Sequence, residues 1–153
     1  EVAVGIGLRD FNPQDRANMV WAFMTVGIHA TALFNAMAEA AVGSGLRDFD
    51  PQELANMAWA FSKLGVRAEA LFNAVAEAAA CSRLRDFNPQ NLENTVWAFA
   101  MVGVHAEGLF NAVAEAAVGS RLRDFKPQNL ANMVWAFATV GVRAEVLFNA
   151  VAE

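Results

Sequence analysis

Apolar residues recur along this chain at helical spacing and never in the strict alternation of a strand. In PQNLANMVWAFATVG, residues 127–141, Leu130, Val134 and Phe137 form a stripe with Ala131 and Trp135 beside it, which predicts an amphipathic helix. In AEVLFNAVAE, residues 144–153, Leu147, Phe148 and Val151 point one way, and Glu145, Asn149 and Glu153 point the other, which predicts a second helix. Asn12, Asp50 and Asn88 stand before Pro13, Pro51 and Pro89. That is an N-cap followed by a proline whose missing N–H costs nothing in the first turn. Lys126 breaks the cap pattern before Pro127. Gly27, Gly65, Gly103 and Gly141 are expected to stop the first helix of each pair.

The pattern repeats. Leu8, Leu46, Leu84 and Leu122 open successive copies 38 residues apart, giving repeats over 8–45, 46–83, 84–121 and an incomplete 122–153. Residues 1–7 align with 39–45 and read as the end of a preceding repeat. With no initiator Met, the chain reads as a segment of a longer array. Units of this length bury their apolar faces by stacking on neighbours. The expected fold is therefore all-α: a single αα-solenoid of helix pairs, with alanines that let helices approach closely. Function is expected in rows of equivalent positions rather than in one pocket.

Composition adds limits. A hydrophobic content of 56% suffices for a core, and no apolar run approaches the roughly 20 residues needed to span a bilayer. The single Cys81 stands where other copies have Gly43 or Gly119, so no disulfide or metal framework is built on it. The formal charge of −5 argues against nucleic acid until its distribution is considered. Glu1, Glu39, Glu69, Glu77, Glu107, Glu115, Glu145 and Glu153 all lie in the second half of the repeat. Without those eight, the remaining 11 basic and 8 acidic residues carry a net +3. If the second helices face away from a ligand, the working face is mildly basic.

The PQ-x-LANMVWAFATVG motif, the helix pair and the 38-residue period resemble the octatricopeptide repeats and the related helical repeats that precede RAP domains. PQNLANMVWAFATVG at 127–141 and PQELANMAWAFSKLG at 51–65 carry the likeness most closely, and it covers essentially the whole chain. Tetratricopeptide repeats fit worse, being about 34 residues long with a Tyr signature, where this chain has no Tyr. The resemblance implies sequence-selective binding of single-stranded RNA in a chloroplast or mitochondrion, in RNA processing, stability or translation. It also implies that first helices line the concave face, each repeat contacting about one nucleotide. The 153 residues contain no RAP domain, so activities of appended domains do not carry over.

Opposite the apolar stripe, the first helix presents three rows: Asp15, Glu53, Asn91 and Asn129; Asn18, Asn56, Asn94 and Asn132; Thr25, Lys63, Met101 and Thr139. The first and third vary within a constant framework, as a base-selecting code would, and as unconstrained surface would also. The constant Asn row can bind a ligand at each step. An inter-repeat ladder of amides is the preferred reading, since Asn is a mediocre helix residue. Trp21, Trp59, Trp97 and Trp135 could stack bases, but a core packing role is preferred for so large a side chain.

His29, Arg67, His105 and Arg143 follow the glycine turns as a basic row, suited to phosphate or simply to the helix dipole. Arg9, Arg47, Arg85 and Arg123, each before an Asp, are expected in inter-repeat salt bridges. The two histidines lack partners at metal-ligand spacing, so neither metal nor cofactor is expected. No nucleophile–base pair or phosphate-binding loop is present, and no enzymatic activity is expected.

The alternatives to RNA are a protein-binding groove, in which Met19, Met57, Met101 and Met133 would matter most, and a purely structural segment. Arg16 replaces the Leu of the other copies and reads as a concession to an exposed first face. The ordinary apolar residues Phe148 and Val151 at the other end predict end-to-end self-association.

Overall fold

A computed structural model describes residues 10–43, 46, 49–65, 68–82, 84–120 and 122–153. The described residues form helices and no strands. Four first helices, α1 (Pro13–Thr25), α3 (Pro51–Lys63), α5 (Pro89–Val102) and α7 (Pro127–Val140), alternate with four second helices, α2 (Thr31–Gly43), α4 (Glu69–Ser82), α6 (Glu107–Ser120) and α8 (Glu145–Ala152). One-turn 3-10 helices at Leu84–Asp86 and Leu122–Asp124 lead into α5 and α7. No described helix is long and apolar enough to cross a membrane.

Local chemistry sets the boundaries. The Asn12, Asp50 and Asn88 side chains accept the backbone N–H three residues on, at 2.8, 2.7 and 2.7 Å. Lys126 adopts the same extended backbone without a side-chain cap bond. At the other end, Gly103 and Gly141 sit at φ +71° and +76°. Val104 and Val142 then donate backward to Phe99 and Phe137, each at 3.0 Å, completing a Schellman closure that requires the left-handed glycine.

First helices stack on first helices (α1 on α3 on α5 on α7) and second helices on second helices. The first helices lie together over more of their length, so theirs is the tighter, inner layer. Alanines permit this closeness: Ala55, Ala58, Ala60, Ala98 and Ala136 are all within 1% of full burial. The layers are joined by phenylalanine pairs that cross from one repeat to the next. Phe34 meets Phe61, Phe72 meets Phe99 and Phe110 meets Phe137 edge to face, at 6.2, 4.9 and 4.9 Å. Such pairs add about 0.5–1.5 kcal/mol each beyond area burial. Phe148, the equivalent of the buried Phe34, Phe72 and Phe110, is 37% exposed.

Arg16 corrects the sequence reading. It is only 5% exposed and lies among the buried residues of α1, and its Nε is buried without a hydrogen-bond partner among the described residues. The long aliphatic stem lets it occupy the packing position that Leu54 and Leu92 fill in later repeats.

Candidate functional site

Asn and Trp three residues apart share one helix face, and stacking four such helices turns the pair into two parallel rows. The rows border a groove of about 730 Å³ across the inner layer. Asn18, Asn56, Asn94 and Asn132 line it together with Trp21, Trp59 and Trp97. The glycines that end the first helices and the residues of the second helices take no part in this lining.

Trp21 and Trp135 are not the core wedges expected from the sequence, whereas Trp59 packs against the core while also lining the groove. Trp21 and Trp135 are 55% and 47% exposed, and Trp59 and Trp97 are half-buried. The close approach of the first helices leaves room between them for alanine, valine and the Phe61, Phe99 and Phe137 rings, and the indoles are displaced to the rim of the apolar arc. Lys63 reaches from α3 so that its Nζ lies 5.5 Å from the Trp59 ring centre and 4.6 Å from that of Trp97. These faces thus already accept a cation from within the chain.

The expected amide ladder is also corrected. Among the described residues, no amide–amide bond joins successive members of the Asn row. Asn132 Nδ2 instead donates to Glu93 Oε1 at 3.2 Å, and Asn129 Nδ2 donates to Glu93 Oε2 at 3.1 Å. Glu93 is 6% exposed and borders the groove. It and Lys126, which also lines the groove, make the lining electrically balanced rather than mildly basic. The acids of the second helices, Glu39, Glu69, Glu77, Glu107, Glu115 and Glu145, are exposed on the outer layer, segregated from the groove as the charge pattern suggested.

The first variable row serves mainly its own helices. Asp15 and Glu53 complete capping boxes, accepting the backbone N–H of Asn12 at 3.2 Å and of Asp50 at 2.9 Å. Asn91 is buried, its carbonyl accepting the Thr95 hydroxyl at 2.7 Å, and only Asn129 lines the groove.

The third row lies toward the helix C-termini, outside the lining. Thr25 Oγ1 donates to the Trp21 carbonyl at 2.9 Å, Met101 is 49% exposed and Thr139 is exposed. Of the basic row, His29, His105 and Arg143 are exposed beyond the glycine turns and lie outside the groove lining; Arg67 lies outside the described residues. Arg85 and Arg123 are exposed in the 3-10 turns, and Arg9 and Arg47 are likewise outside the described residues. No cluster of three His, Cys, Asp or Glu suited to a metal occurs among the described residues.

Met57 and Met133 are fully buried, so they cannot serve a docked peptide as the protein-binding alternative required. Gln90, Gln128, Glu93 and Lys126 also line the groove, in addition to the ligand contacts expected from the sequence. Two of them carried a visible signal: Glu93 interrupts a row otherwise made of Ala17, Ala55 and Ala131, and Lys126 interrupts the caps.

An aromatic and amide-lined groove with balanced charge suits an unsaturated, hydrogen-bonding ligand better than a bare polyanion. No individually curated protein matches the chain. The sequence model of the RNA-editing substrate-binding complex 6 protein family matches residues 5–153. With a match spanning nearly its whole length, the chain belongs to that family.

Proposed function

We propose that the inner groove binds single-stranded RNA, with bases stacking on the tryptophan row and base edges meeting the Asn and Gln amides. The observation that carries this reading is the placement of Asn18, Asn56, Asn94 and Asn132 beside Trp21, Trp59 and Trp97 along one open groove. Aromatic platforms hold single strands through every base's π-face, and amides offer a donor and an acceptor side by side. The family's description, naming an RNA-editing substrate-binding complex, supports an RNA ligand handled together with protein partners. The likeness to octatricopeptide arrays supports sequence selection at about one nucleotide per repeat and an organellar setting. In this reading the chain acts by binding and not by catalysis. Lys126 in the groove lining and the exposed Lys63, His29, His105 and Arg143 outside it are the cations available to the phosphates.

The test is a titration of single-stranded RNA at two salt concentrations, read by tryptophan fluorescence, with single-stranded DNA as control. Selective quenching with RNA is expected, and Trp97→Ala should weaken it by about 1–3 kcal/mol. A salt slope smaller than that of a basic array follows from the balanced lining. Absence of RNA binding at low salt, with quenching by a basic peptide instead, would overturn the reading.

A further inference from the structure

Glu93 is the one member of its row that is not alanine, and alanine at positions 17, 55 and 131 shows that the stacking of repeats does not require an acid there. A carboxylate is costly to take out of water, yet this one is 6% exposed. Its compensation comes from two neutral amides of the next repeat, one on each oxygen. A carboxylate has about four acceptor sites, so two amide bonds leave acceptor capacity unused on a residue that lines the groove. Glu93 also stands four residues before Trp97, on the same face of α5, where side chains are neighbours. Lys63 approaches Trp97 from α3, whereas Glu93 reaches toward α7.

We infer that Glu93 is a specificity-determining residue that selects guanine at the nucleotide held between the third and fourth repeats, with Trp97 stacking on the base; this rests on the RNA-binding reading above. Guanine's Watson–Crick edge offers two adjacent donors, N1–H and the N2 amino group, which match the two oxygens of a carboxylate. Adenine and cytosine set one amino donor beside a ring-nitrogen acceptor that would face the second oxygen. Uracil flanks its single N3–H with two carbonyls. The negative charge also turns the phosphodiester away from this step, toward Lys126 on the same groove.

The deciding experiment compares oligoadenylate with the same oligomer carrying one central guanosine, titrated by tryptophan quenching into the wild type, Glu93→Ala and Glu93→Gln. The wild type is expected to prefer the guanosine oligomer by about tenfold, and inosine, which lacks the N2 amino group, should fall between. Both variants should lose the preference while still binding oligoadenylate. Alanine is the residue of the other three repeats, and an unchanged melting temperature confirms that the variant folds. A merely structural Glu93 would weaken both oligomers equally and leave the preference intact, which overturns the inference, as does equal binding of both by the wild type. Binding of neither oligomer overturns the functional reading and the inference with it.

Discussion

Replacing Lys126 by Asn should make the protein more stable and a weaker RNA binder at once. The α7 helix begins without a side-chain cap, although its backbone before Pro127 is already extended, at φ −67° and ψ 147°. Asn88 at the equivalent position of α5 accepts the Asn91 N–H at 2.7 Å, and Asn129 repeats Asn91 in the receiving place. The substitution therefore restores an arrangement the chain already builds one repeat earlier. An added N-cap is worth about 1 kcal/mol. Removing a cation from the positive end of the helix dipole adds about 0.3 kcal/mol at an exposed position. For a domain of this size, that corresponds to a rise of about 3–5 °C in melting temperature by circular dichroism. Lys126 also borders the groove, so the same change should lower the salt slope of RNA binding by about 0.7. An unchanged or lower melting temperature would refute the capping argument, and an unchanged salt slope would refute the placement of phosphate near Lys126.

The phenylalanine pairs should rank by burial: Phe99→Ala, which removes a fully buried ring 4.9 Å from Phe72, should cost about 3–5 kcal/mol in denaturant unfolding, and Phe148→Ala only about 1 kcal/mol or less. Gly103→Ala meets no neighbouring atom but must hold φ +71°, so it should destabilise by about 1–2 kcal/mol, whereas Gly108→Ala, inside α6 with equally open space, should stabilise by about 0.5 kcal/mol; like signs in the two variants would contradict the cap assignment. The exposed Phe148, Val146 and Val151 are expected to drive association with a second copy, seen as a sedimentation coefficient that rises with concentration and is flattened by Phe148→Ser. A coefficient independent of concentration would rule this out.

Much of the architecture was legible because its causes are short-range. Apolar spacing, an Asn or Asp before Pro, and glycine at each helix end act within a turn or two, and the helices start at Pro13, Pro51, Pro89 and Pro127 and close at left-handed glycines accordingly. The capping role of Asp15 and Glu53 was equally local: an acid three residues after the cap is a recognisable pairing, and the variation of that row reflects helix termini as much as any ligand code. The tryptophans were different. Their place at the edge of an apolar arc is compatible with core or groove, and the decision came from how closely the alanine-rich first helices pack.

Glu93 shows the same limit from the polar side. Its partners Asn129 and Asn132 lie one repeat away, so its oddity was visible in the row while its bonds were not. The buried Arg16 likewise depends on what surrounds it in space and not on its helical neighbours. Sequence alone determined that helix pairs form and recur, since backbone hydrogen bonding and side-chain periodicity are set within each repeat. Only the tertiary stacking decided which face became the groove and which polar groups meet across it, because those contacts exist only after one repeat is laid against the next.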